Sequence, residues 1–189
     1  MRVVALLVIL MCISLSVVTR TFAQEASGDA ILVPSFTPSP TQIEYTLPYP
    51  GLLPDNPLYF LKVFRDNVVG FLIKDPSKKA QFDLLQADKR FESGIMLLSE
   101  KPPKVDMAET IMSKGENYFE DAVAQTKRAK AQGVPVNDFL LKMRTADRKY
   151  KEILVNERTV IPSSQQQGFL LLQKRVESFD KTLSGLIQK

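Results

Sequence analysis

No histidine occurs anywhere in the 189 residues, and this absence excludes more than any residue present admits. Without imidazole there is no Ser-His-Asp or Cys-His catalysis, no Glu-x-x-His di-iron site and no ordinary His-ligated zinc. Cysteine is nearly absent too: the single one, Cys12, lies in an apolar N-terminal run. A chain that sheds this run keeps no thiol for a disulfide, a nucleophile or a metal, and must reach its stability by packing alone. An excess of either charge is also lacking. The formal net charge is +4, of which Arg2 and Arg20 supply two, too little by itself to imply nucleic acid or anionic lipid as a partner.

What is present is ordinary for a globular protein. The hydrophobic share is 44% and the charged share 24%, and 189 residues give room for one domain with a real core. No stretch alternates apolar and polar residues long enough to predict a strand, and no internal repeat is evident.

The N-terminus has the layout of an address. Met1-Arg2 opens with a positive charge, Val3 to Val18 runs uncharged, and Thr21-Phe22-Ala23 places small residues before Gln24-Glu25. Residues 1–23 are therefore expected to be a secretory signal cut after Ala23. The competing reading is an uncleaved signal anchor, since the run exceeds the usual ~7–15 residues yet falls short of the ~20 that span comfortably. Either way Arg2 stays on the inner side and the remaining chain lies outside the cytoplasmic membrane, secreted or held at the cell envelope. Residues 24–54 are Ser/Thr/Pro-rich, with Pro34, Pro38, Pro40, Pro48, Pro50 and Pro54, and read as an extended linker. The folded domain is expected over 55–189.

That domain is predicted to be all-α, an antiparallel bundle of four to five helices. Asn56-Pro57 opens the first helix, Asn as cap and Pro at the first helical position. Its apolar residues, from Leu58 to Ile73, cover most of the circumference and leave a thin polar stripe near Lys62, Arg65 and Asp66, so it is expected at the bundle centre. Asp75-Pro76 repeats the cap-plus-proline device and turns the chain straight into a second helix, with Leu84, Ala87, Phe91, Ile95 and Leu98 inward and Lys78, Lys79, Asp83, Asp88, Lys89, Arg90 and Glu92 on the surface. Pro102-Pro103 ends it. Asp106-x-x-Glu109 resembles a capping box for a third helix bearing Ile111, Met112, Tyr118, Phe119, Ala122 and Val123, which Gly133 stops. A fourth follows Asn137, with Leu140, Met143, Tyr150, Ile153 and Leu154 buried. Ser163 and Ser164, each three residues ahead of a glutamine, start the fifth, whose Phe169, Leu172, Val176, Phe179, Leu183 and Leu186 step by three and four as in a coiled coil.

One stretch carries a resemblance. Leu53-Pro54-Asp55-Asn56-Pro57-Leu58-Tyr59-Phe60-Leu61-Lys62, then Asp75-Pro76-Ser77-Lys78-Lys79-Ala80, then Ala87-Asp88-Lys89-Arg90 together resemble a bacterial family, the domain of unknown function numbered 5667, over roughly residues 53–92. The resemblance implies an exported or membrane-attached helical domain with no established activity. Where the family usually has Glu-x-Arg, this chain has Asp88-Lys89-Arg90, which keeps the charge character.

The constellations that could carry chemistry are few. Ser178-x-x-Lys181 has the Ser-x-x-Lys spacing of penicillin-binding proteins, but Lys181-Thr182-Leu183 lacks the glycine of their Lys-Thr-Gly element and no Ser-Asp-Asn is present. Two solvent-facing polar positions are the expected reading, and no catalytic residue, cofactor or metal site is assigned. Lys127, Arg128 and Lys130 on the third helix, with Lys142, Arg144, Arg148, Lys149 and Lys151 on the fourth, could form one positive face for anionic lipid or a phosphate-bearing wall polymer. Asp147 and Glu152 interrupt that face, and no nucleic-acid reader motif accompanies it. The expected function is a non-enzymatic interaction or scaffold module of the envelope with an unidentified envelope protein as partner. The alternative is an anionic-surface binder acting through the basic face. A membrane partner follows only if the N-terminal segment is retained.

Overall fold

A computed structural model describes residues 43–188 of the protein; the expected leader and most of the linker lie outside the described residues. Five α-helices follow one another with no strand among the described residues: α1 (Tyr59–Leu72), α2 (Pro76–Leu98), α3 (Val105–Ala131), α4 (Asn137–Arg158) and α5 (Gln166–Ile187), the last preceded by one 3-10 turn at Ser163–Gln165. The fold is all-α, as the 3.6-residue periodicity predicts.

Helices α2 and α3 pack along their length as one hairpin, and α4 and α5 as a second. The hairpins meet through α3 against α5 and α2 against α4, which leaves α3 and α4 on a diagonal of the four-helix bundle. Two glycines let α2 and α3 approach closely. A Cβ on Gly94 would lie 2.4 Å from Met112 Cε, and one on Gly115 would lie 3.1 Å from the Phe91 ring. At the centre, Phe91 stacks on Tyr150 with ring centroids 3.9 Å apart, and Phe119 meets Tyr150 edge-on at 5.5 Å, geometries that aromatic quadrupoles favour. Leu84, Ala87, Ile111, Met112, Leu140, Met143, Leu154, Val176 and Leu183 complete this core. Every α5 position in the three-four stepping is buried except Leu186, which is half-buried against the core.

Helix ends follow the predicted devices in part. Asp75 caps α2, its Oδ1 accepting from Lys78 N at 2.8 Å. Gly133 takes φ of +78°, Gly133 N donates to Lys130 O and Val134 N to Ala129 O, the paired bonds of a Schellman stop. The two capping boxes do not form. Helix α3 begins at Val105, ahead of Asp106, whose carboxylate instead accepts from Gln165 Nε2 at 3.0 Å. Gln166 spends its amide on Ile161 O and Arg158 O, tying the α4–α5 connection rather than the helix start. Asn56 likewise accepts from Leu58 N at 2.8 Å in a local turn, so α1 begins at Tyr59, two residues past Pro57.

The largest correction concerns α1. It is not central: it lies outside the four-helix bundle, against α2, and runs antiparallel to it, with Gly70 beside Phe82 and Lys79 and Tyr59 near Arg90 and Tyr118. Its buried residues are Lys62 and Asp66 of the polar stripe together with Gly70, while Arg65 and most of its apolar residues face outward. The approach to α1 is fastened down as well. Ile43 N donates to Glu152 at 3.3 Å, Tyr45 and Leu47 pack on the core, and Pro50 is buried.

Candidate functional site

The predicted positive face is not assembled. Because α3 and α4 stand diagonally, Lys127 and Arg128 point away from a different side of the bundle than the α4 cations. The α4 set itself divides, since positions 142 and 149 lie on one flank of the helix and 144, 148 and 151 on another. Four of the eight predicted basic residues also have partners. Lys130 Nζ donates to Leu186 O at 2.7 Å, Arg144 faces Asp180 at 3.5 Å, Lys149 pairs with Glu152 at 2.7 Å, and Lys151 with Glu177 at 3.2 Å. Lys142 lines a cleft of about 560 Å³ between α2 and α4 that also holds Asp88 and Asp138. Lys127, Arg128 and Arg148 are exposed, on two different helices.

Ser178 and Lys181 are both exposed on α5. Ser178 Oγ donates to Arg175 O at 2.6 Å, the back-bond a helical serine makes to its own preceding turn. Nothing in this geometry directs the hydroxyl at a substrate.

Sequence periodicity missed a set of buried polar groups. Asp83, Asp88 and Arg90, expected on the surface of α2, are all inside. Asp88 accepts from Tyr150 Oη at 2.5 Å and from Tyr45 Oη at 2.9 Å, so one carboxylate joins α2, α4 and the segment before α1. Burial raises its pKa, with the two tyrosine bonds opposing. Arg90 donates to Gln86 Oε1 at 2.7 Å and lays its guanidinium 4.1 Å over the Tyr118 ring. Asp83 pairs with Lys79, and its second oxygen has no protein partner. Glu116 on α3 and Asp147 on α4 are buried as well, 1% and 2% exposed. Burial pushes Glu116 up to about 8, against the pull of Arg175 at 3.6 Å, and pushes Asp147 up to about 7 with the Asp180 charge adding to it. Among the described residues no group of three or more acidic or sulfur ligands is placed to share a metal ion.

The most distinctive surface is α1. Phe60, Leu61, Phe64, Val68, Phe71 and Leu72 form a continuous outward stripe; Phe64 is 68% and Phe71 74% exposed. An exposed apolar residue is ordinary when single, but a contiguous aromatic stripe on a soluble surface marks an interaction site. Its mounting is specific. Lys62 Nζ donates to Pro50 O at 2.7 Å and Leu52 O at 3.1 Å, and Asp66 accepts from Arg65 at 2.7 Å. Burial holds the Lys62 ammonium down to about 8. Gly70 brings the backbone against Phe82, where a Cβ would lie 3.1 Å from that ring. The sequence signal was available, since Lys62, Asp66 and Gly70 fall at i, i+4 and i+8 on one helical face. What hid it is the custom of reading a thin polar stripe as the solvent side.

Among the described residues no helix is long and apolar enough to cross a membrane. No curated protein and no solved structure matches the chain. A protein-family comparison does match, over residues 51–164, which take in α1 to α4 and stop just before α5. That span is more than half of the chain and extends well past the residues 53–92 that carry the resemblance, so the protein belongs to the family described as a domain of unknown function, DUF5667.

Proposed function

We propose that this protein is an exported, non-enzymatic interaction module of the bacterial cell envelope, and that α1 is its docking element. The observation that carries the reading is the inverted mounting of α1. A helix whose Lys62 is bonded to the segment before it, whose Asp66 is turned inward and whose phenylalanines face water holds exposed a face that burial would stabilise, at about 25 cal/mol per Å² of apolar surface covered. Export is supported by the charge, apolar run and small-residue pattern of residues 1–23, and a position at the envelope by the Pro-rich stretch that follows. Asp88, bonded to Tyr150 and Tyr45, and Glu116, paired with Arg175, join different elements of the bundle, which suits a scaffold. Binding through the basic residues of α3 and α4 has no such support, because the cations stand apart and several are paired.

The test uses a membrane-impermeant maleimide on whole cells producing the chain with its native N-terminus, in a Cys12→Ser background. Leu171→Cys, exposed on α5, is expected to label without lysis, which reads export. Phe64→Cys is expected to label several-fold more slowly, which reads a covered α1. Labelling of Leu171→Cys only after lysis overturns export, and equal labelling at both positions overturns docking through α1.

A further inference from the structure

The chemistry of the α1 face narrows what covers it. Resting on the reading of α1 as a docking element, we infer that its partner is the surface of a lipid bilayer carrying anionic headgroups, with α1 lying in the plane of the interface and Phe60, Phe64 and Phe71 inserted below the headgroups.

Three observations choose this occupant over a protein. First, the residues of the outward stripe are apolar, with Asn67 the one exposed amide of α1 at its margin, so the face offers few of the hydrogen bonds a protein interface uses. Hydrocarbon asks for none. Second, the helix has 14 residues, about 21 Å at 1.5 Å per residue, too short to cross a core of about 30 Å yet suited to lie along it. Third, the charges sort by sign. The one carboxylate of α1, Asp66, is 5% exposed, turned toward the bundle and paired with Arg65, while the exposed Lys74 and Lys78 extend the stripe beyond the helix end, Lys74 sitting 4.5 Å over the Phe71 ring. The exposed Asp75 beside them is engaged in capping α2. Basic flanks around an apolar face match anionic headgroups. The linker agrees: residues 19–42, between the apolar run and the described chain, can span about 85 Å at most, so a chain held by that run keeps α1 within reach of the membrane.

The absence of tryptophan supplies a clean probe. The full chain with Phe64→Trp is mixed with vesicles of phosphatidylglycerol and phosphatidylcholine, and with vesicles of phosphatidylcholine alone, each with and without brominated acyl chains. Leu171→Trp serves as the reporter on α5, so the readout follows α1 whether or not the N-terminal run is inserted. The expected result is a blue shift and bromine quenching at position 64, several-fold stronger at low salt on the anionic vesicles, with position 171 still water-like. An unchanged position 64, or equal quenching at both positions, overturns the inference. So does a blue shift at position 64 that grows with protein concentration in the absence of lipid, since a second copy then covers the face. If Phe64→Cys is protected in cells while Phe64→Trp ignores vesicles, the partner is a protein: the membrane inference falls and the docking role of α1 stands.

Discussion

The four-helix bundle and α1 are built from similar residues and put them to opposite use. In α2 to α5 the apolar positions at three-four spacing turn inward, and among the polar groups that follow them in Asp88 is bonded beyond its own helix, to Tyr45 and Tyr150. In α1 the lysine and the aspartate turn inward and the phenylalanines turn out. Burial in water favours the first arrangement, so the second persists only because specific bonds hold the polar side. Lys62 grips two carbonyls of the segment before it, and Gly70 lets the helix sit down on Phe82. The lesson is that amphipathic patterning defines two faces of a helix without saying which is the inner one.

Substitutions in the two regions should therefore behave differently, and the largest effect is expected in the bundle. Phe91→Ala removes a fully buried ring stacked on Tyr150 and is expected to cost about 3–5 kcal/mol in chemical denaturation. A cost near that of a surface change would mean that the bundle core is not the stabilising centre. Tyr150→Phe keeps the ring and deletes only the hydroxyl that Asp88 accepts from. About 1.5–3 kcal/mol is expected, the worth of a hydrogen bond to a charged group, with Tyr45 left as the remaining donor.

The positions of these residues show how far sequence reasoning reaches. The α5 seam, the Asp75 cap and the Gly133 stop were legible because each depends on a few neighbouring residues and a fixed spacing. Asp88, Glu116 and Asp147 were not. Each sits one turn from residues that do face water, and two of them meet a partner more than 40 residues away in sequence, Tyr150 for Asp88 and Arg175 for Glu116. The diagonal of α3 and α4 was hidden for a similar reason, because helix order along the chain leaves open which hairpin faces meet. Of the candidate site, the residues of α1 were all visible and only their orientation was not.

Acidity separates the regions further. Glu116 and Asp147 have folded-state pKa values near 8 and 7, above the ordinary carboxylate values they take when unfolded, so between about pH 4 and 8 the folded bundle binds more protons than the unfolded chain. Stability is then fully present at the acid end of that window and is lost as pH rises through it. The expected fall in melting temperature from pH 5 to pH 8 should flatten in Glu116→Gln, which keeps the shape and removes the titration. Lys62 has the opposite sign. Its ammonium is held down to about 8 by burial, so proton loss between about pH 8 and its ordinary value relieves a buried charge and favours the folded state. A profile that keeps its slope in Glu116→Gln would place the titrating carboxylates elsewhere in the bundle.

The smallest effect on stability is expected where the effect on docking is largest. Phe64→Ser removes an aromatic ring, the same chemical loss as Phe91→Ala, but from a position that is 68% exposed rather than fully buried. The ring gives up little protein contact in the isolated chain, and a change of roughly 0.5 kcal/mol or less is expected in the denaturation midpoint. Should Phe64→Ser instead cost as much as a core substitution, the phenylalanines of α1 would be packing residues, and the contrast between the two regions would collapse. Should it be silent in stability and also leave the labelling of an α1 cysteine in cells unchanged, the stripe would be exposed without consequence. Only the pairing of intact stability with lost protection leaves α1 as a surface kept apolar for something outside the chain, because a ring that the fold does not use is then one that its surroundings do.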